Sequence, residues 1–221
     1  MITMLPQLLQ DSEVQRLLAA LAKGRFVSGE TSAGSLVKSS KHNMQLDRNS
    51  VPANDLDFVI LAALERNMLF HSIALARQLR PFLYNRHDVG MSYGEHVDNP
   101  LMGKPGMRTD MSMTVFLSDP ESYEGGELFL RTPYGNQTVK GKAGDAVVYP
   151  TTLVHQVNPV TRGTRLAAVT WIESHVRDAA CREILHDLNV AHRAIAAKAP
   201  ESDEAQLLSK SYTNLLKMWA N

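Results

Sequence analysis

HQVNPVTRGTRLAAVTWIE, residues 155–173, divides into two runs around a turn. The first, His155-Gln156-Val157-Asn158-Pro159, is short and mixed. Pro159 to Gly163 supplies turn chemistry, since proline fixes φ and glycine tolerates positive φ. The second run, Leu166 to Ile172, is largely apolar and does not alternate as a strand with one wet face would. It reads as a strand buried on both sides, and Arg165 opens it.

Moving outward, similar short runs precede it: Ala74 to Asn85, Met111 to Leu117, Glu127 to Arg131, Gln137 to Lys140 and Ala146 to Tyr149. Many are rich in Val, Thr, Tyr and Phe. Ser118-Asp119-Pro120, Glu124-Gly125-Gly126, Tyr134-Gly135-Asn136 and Lys142 to Asp145 separate them, all turn formers. Residues 112–117 (SMTVFL) also look buried on two sides. Strands at this spacing predict a sandwich or barrel.

Helical patterns flank this core. Asp11-Ser12-Glu13 is placed to cap a helix carrying Leu17, Leu18, Leu21 and Ala22, with Gly24 as its stop. Phe26 to Gly29 reads as a short strand, residues 30–50 as polar loop with one helical turn, and Asp55 to Asn67 as an amphipathic helix. Beyond Ser174, Val176, Ala180, Ile184, Leu188, Ala191 and Ile195 step at threes and fours. Pro200 to Asp203 breaks that helix and caps another, striped by Leu207, Leu208, Tyr212, Leu215 and Leu216. The expected organisation is a mixed helical support over 1–69, a β domain over 70–174 and a helical hairpin over 175–221. The hairpin's apolar stripes offer a homodimer surface.

Composition excludes several classes. Lys plus Arg and Asp plus Glu both number 23. That balance argues against nucleic-acid or membrane-surface binding as the main activity. A single cysteine, Cys181, allows neither an internal disulfide nor a thiolate cluster, and fits a reducing compartment. No apolar run reaches bilayer-spanning length, and the first residues lack the basic n-region of a signal peptide. A cytoplasmic location is the expectation.

YGEHVDNP, residues 93–100, carries the first chemical signal. His96 and Asp98, at i and i+2 of a strand, project to one face. Alone, such a pair is common by chance and is more often a polar strand end before a turn such as Asn99-Pro100. His155 changes the balance: two histidines and a carboxylate on a β scaffold without cysteines match the facial triad of non-haem Fe(II), with positions left open for co-substrate and O₂. A structural zinc site would close with a fourth ligand. Arg165 lies ten residues after His155, across the turn, where a hairpin can bring it to the same interior face. A buried arginine is costly without an anion, and its planar fork suits a carboxylate.

These residues resemble a known family. Tyr93-x-x-His96-x-Asp98, Tyr123-x-Gly125-Gly126-Glu127-Leu128, Gly144-Asp145-x-Val147-Val148-Tyr149-Pro150, His155-x-Val157-x-Pro159-Val160 and Arg165 match, in order and spacing, the Fe(II)/2-oxoglutarate-dependent dioxygenases of the prolyl 4-hydroxylase type. With the flanking helices, the whole chain looks like a bacterial PKHD-type hydroxylase, a group linked to iron uptake. The resemblance implies a mainly β fold with a double-stranded β-helix (jelly-roll, cupin-like) core. It implies Fe(2+) on His96, Asp98 and His155, with Arg165 on the distal carboxylate of 2-oxoglutarate. It also puts Tyr93 and Tyr84 near that co-substrate, O₂ as oxidant and L-ascorbate as the reductant that restores oxidised iron. The implied reaction couples oxidative decarboxylation of 2-oxoglutarate to hydroxylation of an unidentified small molecule or peptide.

Two rivals remain at this point. A non-catalytic iron and 2-oxoglutarate sensor keeps the fold and loses the reaction. A zinc hydrolase on a cupin-like barrel would want a positioned general base and has no need of Arg165. The six other histidines (His42, His71, His87, His175, His186 and His192) lack partner spacing, and Met102, Met107, Met111 and Met113 read as gap-filling core.

Overall fold

A computed structural model describes residues 1–32 and 40–220. Its centre is the ten-residue strand Arg165–Ser174. Met111–Phe116 pairs along one edge of it, and Leu83–His87 and Ala76–Leu79 along the other. Thr3–Leu5 and Ala146–Pro150 extend the first side; Met44–Leu46 and Phe26–Ser28 extend the second, completing an eight-stranded sheet. A five-stranded sheet runs Gln137–Val139, Leu128–Leu130, His155–Val157, Ser92–His96, Lys41–His42. All these pairings are antiparallel. The protein is mainly β with flanking helices, built on a double-stranded β-helix.

The all-buried run Met111–Phe116 shows why the large sheet is covered twice. Met113 and Val115 join a core cluster with Ala168 and Ile172 of the central strand, Leu17 of helix α1 (Asp11–Leu21) and Ile60 of helix α2 (Ala53–Glu65). Phe116, one pleat over, belongs to a second cluster with Leu128 and Leu130 of the smaller sheet. Helices therefore cover one face of the large sheet and the smaller sheet covers the other. Side-chain alternation sends each residue to its layer.

The C-terminal hairpin is present as α4 (Ala179–Ala196) and α5 (Asp203–Trp219); Ser202 caps α5, its side chain accepting from the Ala205 N–H at 3.2 Å. A short helix unforeseen in the sequence, α3 (Met68–Ala74), packs under α4. There Ser72 Oγ lies 2.7 Å from His186 Nδ1 and accepts from Asn189 Nδ2 at 3.0 Å. Four further readings are corrected. Ala74 ends a helix, and the expected run to Asn85 is two strands parted around Pro81, which removes a ladder donor. The expected loop at 30–50 holds one 3₁₀ turn, Gly29–Ser32, and also the strands Lys41–His42 and Met44–Leu46; residues 33–39 lie outside the described residues. α1 begins with Asp11 already in its first turn, where the Glu13 carboxylate accepts from the Gln10 N–H at 2.8 Å. α2 starts two residues earlier than expected and stops at Glu65. Residues 101–108 form a small hairpin, Leu101–Met102 against Met107–Arg108.

Candidate active site

The hairpin expected to join His155 to Arg165 does not form: His155–Val157 pairs within the smaller sheet and Arg165–Ser174 within the large one, so the turn at Pro159–Gly163 carries the chain from one sheet to the other. Gly163 takes φ +72°, and a Cβ there would sit 2.2 Å from the Ser122 carbonyl, so only glycine fits. Register then does the positioning. His155 pairs with His96 across adjacent strands of the small sheet, bringing the ring centroids to 4.2 Å. Asp98, just past the strand end, places one oxygen 3.9 Å from His96 Nε2 and the other 3.6 Å from His155 Nε2. The three ligand atoms lie within 4.8 Å of one another.

The rings are set for coordination. His96 Nδ1 donates to the Gly94 carbonyl at 2.8 Å, and His155 Nδ1 to the Leu153 carbonyl at 3.0 Å. With Nδ1–H engaged, both Nε2 lone pairs face the common point, the tautomer a metal requires. Burial, and then the neighbouring His155, push the His96 imidazole down to about 4, so it is neutral at pH 7. Tyr93 stacks on His96 at 3.7 Å between centroids, and Tyr149 meets His155 edge-on at 5.2 Å. Ser112 Oγ, from the large sheet, donates to Asp98 Oδ2 and fixes the carboxylate. Two imidazoles and one carboxylate, all on one side, fit a divalent first-row ion with open positions opposite.

Arg165 is 2% exposed, the largest fully buried side chain of the described residues. Its guanidinium lies 5.9 Å from the Phe116 ring, beside Tyr123, and its Nε has no hydrogen-bond partner. Among the described residues no carboxylate pairs with it. Triad and arginine line one cavity of about 540 Å³ between the sheets. A buried cation with no paired carboxylate, beside a three-ligand pocket, is suited to receive an anion that reaches both.

Comparisons with known proteins agree with this geometry. Residues 82–173 match the 2OG-Fe(II) oxygenase superfamily. A PKHD-type hydroxylase of Rippkaea orientalis is 43% identical over 220 residues, covering 99% of each chain. One of Methylobacterium nodulans is 40% identical, covering 100% of this chain and 99% of its own. The chain belongs to the PKHD-type hydroxylase family. Solved structures repeat the fold at lower identity. An oxidoreductase of the 2OG-Fe(II) oxygenase family from Burkholderia pseudomallei aligns at TM-score 0.57 and 18% identity, over 78% of this chain and 84% of that one. A prolyl-4-hydroxylase of Pseudomonas putida aligns at 0.51 and 18%, over 78% and 92%. This PKHD-type hydroxylase is an iron- and 2-oxoglutarate-dependent oxygenase whose hydroxylated substrate is unidentified.

Within the PKHD-type hydroxylase, the structure brings His96, Asp98, His155, Arg165 and Tyr93 into one cavity. It does not bring Tyr84 there. Strand alternation turns Leu83, Asn85 and His87 to the cavity and Tyr84 to the helical side. There its hydroxyl donates to Asp57 at 3.0 Å, and burial raises its pKa. The expected contact of Tyr84 with the co-substrate is therefore corrected to a core hydrogen bond.

Three neighbours went unforeseen. Ser112 carried a signal, since a serine inside an apolar, two-sided strand must find a partner. His87 is register-paired with Arg165 and 2% exposed, with neither ring nitrogen bonded. Burial, and then Arg165, push its pKa well below 6.5, so it sits neutral in the cavity wall. Lys41, 5.1 Å over the Tyr93 ring, is lowered to about 8 by burial. Neither His87 nor Lys41 has a spacing in sequence that marks it.

Proposed function

We propose that this chain couples oxidative decarboxylation of 2-oxoglutarate to hydroxylation of a C–H bond in a small molecule or peptide, with Fe(II) held by His96, Asp98 and His155. The observation that carries this reading is the pairing of an open, correctly tautomerised three-ligand site with a buried, carboxylate-free Arg165 in the same cavity. Bound there, the metal would supply activation of O₂ and the oxidising power for hydroxylation.

The protein's own part is placement. Arg165 fixes the distal carboxylate of 2-oxoglutarate through its planar fork, and Tyr123 lies beside the guanidinium to orient it. The carbonyls of Gly94 and Leu153 lock the imidazoles. Ser112 holds the carboxylate of Asp98 against rotation. Tyr93 and Tyr149 wall the rings and keep bulk water from the ligands. No side chain is needed as a general base, which separates this reading from a hydrolase.

The same reading expects L-ascorbate as a reductant and a cytoplasmic setting, with neither nucleic acid nor membrane as partner. No helix among the described residues is long and apolar enough to cross a membrane. Exposed Ile184, Val190, Leu207 and Met218 on the hairpin are the surface offered for a homodimer. The test is succinate formation from 2-oxoglutarate with iron, zinc or no metal, together with mass spectrometry of candidate substrates for a +16 Da product. Iron-dependent succinate with a hydroxylated product supports the reading. Binding of both ligands without succinate would instead support a sensor.

A further inference from the structure

The cavity has a second end. On the central strand Arg165, Val169 and Trp171 face into it. Arg165 and Trp171 are six residues apart, roughly 20 Å of strand. Trp171 is register-paired with Ser112, the residue that holds Asp98. Trp171 thus stands level with the triad, and Arg165 extends back toward it from one end only. Beyond Trp171 comes Arg80, whose backbone N–H donates to the Trp171 carbonyl at 3.0 Å. Arg80 also lines the cavity, together with Leu101, Met102 and Gly103 of the small hairpin.

Two donors at this end lack acceptors. The Trp171 indole Nε1 is buried with no hydrogen-bond partner. The Arg80 guanidinium, half-buried, has no ion-pair or hydrogen-bond partner among the described residues. Arg48, the other arginine there, is already engaged by Asp57, Asn54 and the Phe82 carbonyl. Arg80 is also held in place: Gly103 rests on it so closely that a Cβ would come 2.6 Å from its Nη1. An unpaired arginine packed under a glycine and a buried, unbonded indole N–H both await an acceptor.

We propose that Arg80 and Trp171 form the substrate subsite, and that the substrate carries a carboxylate which they bind on the side of the triad away from Arg165. This rests on the oxygenase reading above, because it gives 2-oxoglutarate the Arg165 end. A planar fork plus one N–H matches two carboxylate oxygens. The hairpin at Leu101–Arg108, packed on Arg80 through Gly103, forms the roof over the bound group.

The experiment uses fluorescence. Trp171 and Trp219 are the two tryptophans of the chain, so Trp219→Phe leaves Trp171 as the reporter. The protein is held with Zn(II) and saturating 2-oxoglutarate, which fills the Arg165 end without turnover. It is then titrated with N-acetyl amino acids as free acids, as primary amides, and with phosphate monoesters of similar size. The free acids are expected to change Trp171 emission saturably and to bind about tenfold or more tighter than their amides, the scale of a charge-assisted hydrogen bond. Arg80→Gln should erase that difference, and Arg80→Lys should restore part of it. Equal binding of acid and amide, tighter binding of phosphates, an unchanged acid affinity in Arg80→Gln, or no response to any acid at millimolar concentration would overturn the subsite. Binding of 2-oxoglutarate is measured first in the same protein. Its absence strikes at the oxygenase reading, while the acid titration still judges Arg80 independently.

Discussion

Arg165→Met separates binding from folding at one position. In the ligand-free protein Arg165 is 2% exposed, carries an orphaned Nε and has no carboxylate pair among the described residues. Burial already opposes its charge. A methionine fills similar space and carries no charge, so the ligand-free variant should be as stable as the parent or more so. Co-substrate binding should move the other way. Removing one partner of a buried charge pair costs about 3–5 kcal/mol. At roughly 1.4 kcal/mol per factor of ten, affinity for 2-oxoglutarate should fall by about two to three and a half orders of magnitude. The assay is thermal unfolding with Zn(II), with and without 2-oxoglutarate. At a hundred times its Kd the co-substrate adds about 2.7 kcal/mol to the parent and close to nothing to the variant at the same concentration. Arg165→Lys should also bind poorly, since an ammonium lacks the fork. Metal content should be unchanged in both variants. If Arg165→Met is stabilised by 2-oxoglutarate as the parent is, another residue holds the distal carboxylate and the reasoning is wrong.

Asp98→Ala should abolish metal loading, read by elemental analysis, while leaving the unfolding transition intact; an unfolded variant would assign Asp98 a structural role. Ser112→Ala should keep the fold and weaken metal affinity about 10- to 100-fold, the usual effect of losing a ligand's supporting hydrogen bond, measured by competition with a chelator. Tyr84→Phe should cost about 1–3 kcal/mol through the lost bond to Asp57 and leave 2-oxoglutarate affinity alone, so a large rise in KM for the co-substrate would return Tyr84 to the site. His87 is held neutral by burial, its folded pKa below 6.5. The unfolded chain therefore binds a proton that the fold refuses, and stability from this group, full above pH about 6.5, is lost as pH falls, by up to about 1.4 kcal/mol per unit. Denaturant titrations from pH 7.5 to 5 should show a shallower acid loss in His87→Gln; an identical slope would contradict the assignment.

Most of the site was legible because its signals are local and repeated. His96-x-Asp98 is a local pair, with Asp98 just past the end of its strand, whereas Arg165 reaches the cavity by a crossover from the smaller sheet to the large one and not by the expected hairpin. The buried runs at 112–117 and 166–172 likewise announced a two-sided large sheet. What failed depended on neighbours remote in sequence. Lys41–His42 and Met44–Leu46 are too short and too polar to read as strands, and they exist because Ser92–His96 and Leu83–His87 offer them edges. Tyr84 and His87 were misjudged together: the phase of that strand is set by its pairing with the central one, which sends odd-numbered residues inward. Arg80 and Trp171 gave no sign of sharing a cavity because the segment before Pro81 looked continuous with the strand after it.

The proposed function requires one chain to hold a metal through His96, Asp98 and His155 and a co-substrate through Arg165 in the same cavity. Anaerobic titration of the metal-free protein with Fe(II) and then 2-oxoglutarate tests both halves at once. One iron per chain should bind, and 2-oxoglutarate should then raise a charge-transfer absorbance that requires the keto acid to sit on the iron. That absorbance should be missing from His155→Ala for want of metal and from Arg165→Met for want of co-substrate. Iron uptake with no new absorbance in the parent protein, or an undiminished band in either variant, would contradict the account.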